Sequence, residues 1–235
     1  MLSVEALVKH FEDGDRKRIK VLDELTLRVQ PGEFVAVFGP SGSGKTTLMD
    51  LIAGFQTPDA GTVTVNDKIV SRFTGRAHAD YLLRVIGIVE QPKEMKEGAS
   101  AQENASLKLL RDDARHANQN IVPLLQELGL GDRVKQKVSK LSMGERQRVQ
   151  IAQALSMDPK LVLADEPTGH LDPKRSREVL ALLARLCRER KTAVLLTTHE
   201  PRAVAYADRA LTLSDGRLQP YEPEVIPDTE LGVPT

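Results

Sequence analysis

The stretch Phe34-Val35-Ala36-Val37-Phe38-Gly39-Pro40-Ser41-Gly42-Ser43-Gly44-Lys45-Thr46 sets an apolar run against a glycine-rich turn that ends in Lys-Thr. From Gly39 onward it fits the phosphate-loop pattern G-x-x-x-x-G-K-[ST]. Glycines let the backbone come close to phosphate oxygens, because no Cβ intervenes. Successive N–H groups then face the anion at a helix N-terminus, where the macrodipole favours negative charge. In such a loop Lys45 reaches the β- and γ-phosphates, and Thr46 offers a hydroxyl to Mg²⁺. The match lies between an apolar run and a helix predicted to begin near Lys45, which separates it from a chance glycine-rich turn. By itself it says only that a nucleotide binds.

Working outward, residues 34–38, 85–89, 161–164 and 193–197 are short runs rich in Val, Ile and Leu. Their length and composition predict buried strands. They alternate with helical patterns, which predicts an α/β fold with a mainly parallel sheet covered by helices. Each run is followed at once by a polar or glycine position: Gly39, Gln91, Asp165-Glu166 and His199. Ligands of open α/β sheets bind outside the carboxyl ends of the strands, so these positions converge on one site. Alternation in Leu25-Thr26-Leu27-Arg28-Val29 and Thr62-Val63-Thr64-Val65 predicts a small antiparallel sheet beside the main one, with Pro31-Gly32 as a turn. Polar, helix-favouring sequence between Gln91 and Leu141, for example 100–110 and 120–128, reads as a helical insert. The expected division is an α/β core with the β-subdomain at 1–92 and 156–218, a helical insert at 93–155, and a loose, proline-rich tail at 219–235.

Composition narrows the classes. The chain has 235 residues, 33 Lys plus Arg against 33 Asp plus Glu, and one cysteine, Cys187. The zero formal charge lacks the basic excess of a nucleic-acid binder. The run Asp15-Arg16-Lys17-Arg18-Ile19-Lys20 reads as a solvated loop. A single cysteine allows no intrachain disulfide and suits a reducing compartment. It falls in a helix predicted over 179–190 and is expected to be inert. Residues 1–15 do not read as a signal peptide, and no apolar run approaches the roughly 18 residues of a membrane span. Any membrane spans would come from another chain.

Two further motifs carry chemistry. Leu161-Val162-Leu163-Ala164-Asp165-Glu166 is an apolar strand ending in paired carboxylates. Asp165 is placed to hold Mg²⁺ and Glu166 to act as general base on the attacking water. Beside a phosphate loop this reading outweighs a plain Asp-Glu-Pro surface turn. In Leu141-Ser142-Met143-Gly144-Glu145-Arg146-Gln147-Arg148, Ser142 and Glu145 form a capping box for a helix whose Val149, Ala152 and Leu155 share one face. A capped helix N-terminus is also an anion site.

At this point residues 2–218 resemble the ABC ATPase family. Ser142 and Gly144 match the signature motif, usually LSGGQ. The resemblance implies a P-loop NTPase core and head-to-tail pairing of two subunits, here a homodimer. Each ATP would lie between one subunit's phosphate loop, Gly39 through Thr47, and the other's signature. Gln91 matches the Q-loop glutamine, which reaches Mg²⁺ and the attacking water and senses the membrane partner. His199 matches the switch histidine at the γ-phosphate. Gly169-His170-Leu171-Asp172 matches the D-loop, which crosses the dimer interface. Phe11 aligns with the aromatic that stacks on adenine. Met143 stands where the family has Gly, Glu145 where it has Gln, His170 where Asn or Ala is common, and Phe11 where Tyr is more frequent. None of these removes a phosphate-binding or hydrolytic group. Read for packing alone, Asp172-Pro173 is an N-cap followed by an N1 proline, Gln91 a loop residue, His199 a strand-end histidine and Phe11 core.

Within the family the resemblance is greatest to subunits serving FtsX-like permeases, as in lipoprotein release, macrolide export and division-site signalling. Its carriers are Gly39 through Leu48, Leu163-Ala164-Asp165-Glu166-Pro167-Thr168-Gly169, Thr198-His199-Glu200-Pro201, Asp208-Arg209 and Asp215-Gly216-Arg217. It implies an integral-membrane permease in a separate chain and a cytoplasmic subunit peripheral to the inner face of the membrane. A soluble ABC ATPase working on a non-membrane macromolecule is the competing reading; such proteins usually carry long coiled-coil insertions or paired ATPase units, which this chain lacks. A different phosphate-loop enzyme, such as a small-molecule kinase, would need neither Ser142 nor His199.

Overall fold

The structure, a computed structural model, describes residues 1–12, 18–90, 95–109 and 114–222, with the side chains of 114–120 excepted. The chain opens with β1 (Leu2–Glu12), β2 (Arg18–Val29) and β3 (Phe34–Phe38), followed by α1 (Lys45–Ala53), β4 (Ala60–Val65) and β5 (Lys68–Ile69). After α2 (Gly75–Arg84) and β6 (Ile86–Val89) come α3 (Ala101–Ala105), α4 (Ala114–Glu127) and α5 (Met143–Leu155). The last part holds β7 (Leu161–Asp165), α6 (Pro173–Arg190), β8 (Ala193–Thr198), β9 (Arg209–Ser214) and β10 (Arg217–Pro220).

The main sheet has the order β10-β9-β3-β8-β7-β6. All its neighbours are parallel except β10, which returns antiparallel along β9. Both faces are covered, so β3 has no polar side. Phe34, Ala36 and Phe38 join the core under α5 and α6, while Val35 and Val37 join a second core with α1 and the antiparallel sheet. That sheet has the order β2-β1-β4-β5. Pro31-Gly32 makes the turn into β3: Gly32 has φ 74° and the Glu33 N–H donates to the Gln30 carbonyl at 3.1 Å. Proline then glycine at the two central positions is the type II pattern.

Several expected boundaries move. Val85 ends α2 rather than starting β6. Arg18, Ile19 and Lys20 begin β2, because Phe11 and His10 on β1 give them partners; the rest of that basic run lies outside the described residues. Gln219 and Pro220, expected in the tail, pair with Thr212 and Leu211, and Tyr221 packs on Phe38 with ring centroids 4.4 Å apart. The helix expected over 100–110 stops at Ala105. Asn104 spends its side chain on the backbone of Lys96 and Ser100, and the N–H groups of Leu107 and Leu109 turn to carbonyls three residues back. Cys187 is buried in α6, and burial pushes its thiol up to about 11, which keeps it in the unreactive thiol form.

Gln147 and Lys108 help tie the helical segment to the core. Gln147 on α5 is fully buried and donates to the Glu90 carbonyl at 3.2 Å, just after β6. Lys108 donates to the carbonyls of Leu82 and Ile86 at 3.2 and 3.1 Å, and burial pulls its ammonium down to about 8.

Candidate active site

The phosphate-loop pattern becomes a real cradle between β3 and α1. Gly39 cannot carry a side chain, since a Cβ there would lie 2.5 Å from Ser43 Oγ and 2.8 Å from the Leu213 carbonyl. Gly44 has φ 100° and sits against Val21, which a Cβ would approach to 2.9 Å. Helices α3, α5 and α6 begin with side-chain caps from Ser100, Ser142 and Asp172, whereas α1, which begins at Gly44, and α2 have none. In α1, next to the glycine loop, the uncapped first-turn N–H groups are open to an anion. Ser43 Oγ is buried without a hydrogen-bond partner.

Lys45 is 6% exposed, and its ammonium donates to the carbonyls of Gly39 and Pro40 at 2.7 and 3.0 Å. It also lies 3.8 Å from Glu166 Oε1. Thr46 Oγ1 donates to Asp165 Oδ2 at 3.0 Å, and Thr197 Oγ1 donates to Asp165 Oδ1. His199 Nδ1 is 3.3 Å from Glu166 Oε2. The carboxyl ends of β3, β7 and β8 thus bring Lys45, Thr46, Asp165, Glu166 and His199 together. Gln91 follows β6 but lies outside the described residues.

Asp165 and Glu166 point to different partners, though not through strand alternation. β7 ends at Asp165, and Glu166 takes a left-handed φ of 45°. That conformation costs about 1–2 kcal/mol for a residue with a Cβ. It is held by the Glu166 N–H donating to the Thr197 carbonyl at 3.0 Å and by the Gly169 N–H donating to the Glu166 carbonyl at 3.2 Å. Strain of this kind collects at functional sites.

Lys45, Thr46, Asp165 and Glu166 line an open cleft of about 1130 Å³. Its lining combines Ser41, Gly42, Gly44, Lys45, Thr46 and Thr47 of the loop and α1 with Asp165 and Glu166 and with Gln150 and Gln153 of α5. Phe11 and Val21 line it as well. Phe11 is 40% exposed, so it is not core; its ring stands opposite Ile19, with Lys9 Nζ 5.5 Å from its centroid. An exposed ring in the lining of the cleft suits stacking on a base. The glutamines were not singled out from the sequence, because their reach depends on how α5 lies over the sheet.

Ser142 and Gly144 line a separate cleft of about 400 Å³, shared with Arg148, Arg175 and Glu178. The capping box is present: Glu145 N–H donates to Ser142 Oγ at 3.3 Å, and Ser142 N–H donates to Glu145 Oε2 at 2.8 Å. That backbone bond, supported by the Arg133 side chain, holds Glu145 below the usual carboxylate range. Glu145 in the signature is thus committed to the cap, while Met143 beside it is exposed. Gly144 leaves room for Arg175, whose Cδ a Cβ would approach to 3.2 Å. Arg175 also pairs with Asp172 at 3.3 Å. Asp172 accepts from the N–H groups of Lys174 and Arg175 at 3.1 and 3.0 Å, and the latter leads in holding its carboxyl below the ordinary range.

Comparison with known proteins shows the family. The ABC transporter family profile matches residues 22–169. The chain is 40% identical over 226 residues to the lipoprotein-releasing system ATP-binding protein LolD 2 of Chlorobaculum tepidum, covering 93% of this chain and 92% of that one. A dimeric structure of the bacterial ABC transporter cassette MJ0796 superimposes with a TM-score of 0.83 at 29% identity, over 93% of this chain and 97% of that one. The same cassette in a post-hydrolysis state, bound to ADP and Pi, gives a TM-score of 0.83 at 28% identity over 94% and 98%. With its phosphate loop, paired carboxylates and signature helix on one P-loop α/β frame, the chain belongs to the ABC transporter family, as an ATP-binding and ATP-hydrolysing subunit of the LolD type.

Proposed function

We propose that two copies of this chain pair head to tail around two ATP and that the pair drives a separate integral-membrane permease from the cytoplasmic face. The observation that carries the pairing is the separation of the two clefts. The phosphate-loop cleft meets α5 at Gln150 and Gln153, and the signature cleft meets it nearer its start, at Ser142, Gly144, Glu145 and Arg148. At 1.5 Å per residue, Ser142 and Gly144 stand about 9–16 Å from Gln150 and Gln153 along the helix. A nucleotide on Lys45 therefore meets Ser142 and Gly144 best when a second copy presents them.

Within each site, Lys45 and the open N–H groups of α1 would bind the phosphates, and Phe11 would stack on the base. Thr46 and Asp165, hydroxyl and carboxylate 3.0 Å apart, fit a hard divalent cation. When bound, Mg²⁺ would neutralise charge on the β- and γ-phosphate oxygens. Glu166 would take a proton from the attacking water, with His199 against it and Gln91 completing the set. Asp172 would serve both as the α6 cap and at the subunit interface.

The isolated chain is expected to be mostly monomeric without nucleotide and to dimerise with ATP, because the surfaces bearing Ser142 and Gly44 carry charged residues and glycines that need the nucleotide between them. Light scattering with and without ATP checks this, and a dimer of the same affinity in both conditions would contradict it. The permease reading is supported by the family and by the absence, among the described residues, of any helix long and apolar enough to cross a membrane. Crosslinkers placed over 93–104, next to Gln91, are expected to capture a membrane protein in cells. If they capture none, the reading of a non-membrane macromolecular partner takes precedence.

A further inference from the structure

Thr197 interrupts the apolar run of β8, Ala193-Val194-Leu195-Leu196, at a position that is fully buried. The strand lies between β3 and β7, with Thr197 opposite Val37 on one side and Asp165 on the other. Central parallel strands are ordinarily apolar throughout, and a buried hydroxyl is costly unless it is hydrogen-bonded. Here the hydroxyl donates to Asp165 Oδ1, while Thr46 of α1 donates to Oδ2. Asp165 therefore has a hydroxyl on each oxygen, one from the helix that carries the phosphate loop and one from the neighbouring strand.

We infer that Thr197 is a positioning residue for metal binding: its hydroxyl fixes the orientation in which Asp165 meets the cation. The inference rests on the proposed assignment of Thr46 and Asp165 to Mg²⁺. On that assignment Thr46 is itself a ligand, so its hydroxyl is shared with the cation. On the same assignment the Thr197 hydroxyl is no ligand, so its bond to Oδ1 can persist when the cation binds. The Thr197 carbonyl accepts from Glu166 N–H at 3.0 Å as well. Substituting the side chain leaves that backbone bond in place, so the hydroxyl can be tested apart from the Glu166 turn.

The test uses the full chain with ADP, Mn²⁺ as the metal probe, and electron paramagnetic resonance of free Mn²⁺. Thr197→Val, near in size and lacking the hydroxyl, is expected to weaken Mn²⁺ binding to the protein–ADP complex by roughly 10–100-fold, the usual effect of losing an outer partner of a metal ligand. The Mg²⁺ concentration for half-maximal phosphate release should rise in parallel. ADP affinity in EDTA should stay unchanged, and Thr197→Ser should restore metal affinity. Thr197→Ala serves as a second hydroxyl-free variant if the valine form fails to fold. Unchanged metal affinity in the hydroxyl-free variants overturns the inference, as does an equal loss of nucleotide binding with and without metal. Asp165→Asn separates the two levels. If it weakens the metal and Thr197→Val does not, only the role of Thr197 falls. If it leaves the metal untouched, the assignment of Asp165 falls and this inference with it.

Discussion

Glu166→Gln is expected to slow phosphate release by roughly 10²–10⁴-fold, the usual worth of a positioned general base, while ATP still binds. The substitution keeps the size of the side chain and removes its charge and basicity. It leaves the backbone bonds to Thr197 and Gly169 that hold the left-handed turn. Lys45, Thr46 and Asp165, the groups assigned to phosphate and metal, are unaltered. With ATP bound and not consumed, the head-to-tail pair should accumulate as a stable dimer. Phosphate release measures the first effect and gel filtration with ATP the second. Hydrolysis at the wild-type rate would move the role of base to His199, which already stands 3.3 Å from this carboxylate. An inactive variant that never dimerises would count against the sandwich, and Met143, exposed at the signature helix, would be the first position to change.

Lys45→Ala is expected to lower ATP affinity by roughly 10²-fold or more, in line with truncating one partner of a buried, hydrogen-bonded charge pair. The ammonium is the cation buried in the phosphate-loop cradle, and it holds the loop closed through the carbonyls of Gly39 and Pro40. Its removal takes away the counter-charge for the β- and γ-phosphates. It also leaves two loop carbonyls without that donor, and it frees Glu166 from a cation 3.8 Å away. Lys45→Met keeps the length of the stem and should lose affinity as well, which separates loss of charge from loss of packing. Titration with a fluorescent ATP analogue reads both, and equal affinity in variant and wild type would sink the phosphate-loop assignment.

Much of this was legible because it is local. A phosphate loop is a run of backbone conformations, so Gly39, Gly44 and Lys45 announce it by residue type and spacing alone. Four of the six strands of the main sheet are short apolar runs, and each of these appears within a residue or so of its expected place, whereas β9 and β10 were not picked out. Ser142 with Glu145 and Asp172 with Pro173 are caps, written in adjacent residues and found as written. Boundaries failed where a partner from elsewhere decided them. Arg18 to Lys20 look like a charged loop until β1 pairs with them. Gln219 and Pro220 look like tail until β9 does. Residues 106–109 look like more helix, yet α3 ends at Ala105, beside an Asn104 whose amide is held by the backbone of Lys96.

The sequence by itself determined the class of the protein: an α/β nucleotide-binding fold, its phosphate loop, its two acidic residues and its signature helix. The fold, the loop, the carboxylate pair and the capped helix rest on short-range backbone preference or on apolar periodicity, which neighbouring residues settle among themselves; that this helix is a signature is what the family resemblance implies. Only the tertiary structure decided which side chains meet. Parallel register sets Thr197 beside Asp165, 32 positions away in the chain. The lie of α5 over the sheet brings Gln150 and Gln153 to one cleft and Ser142 and Gly144 to another. The left-handed turn at Glu166, rather than the alternation of a strand, aims the two carboxylates apart. Such contacts depend on how whole elements stack, and stacking is governed by burial summed over both cores, a quantity that no single stretch of sequence contains.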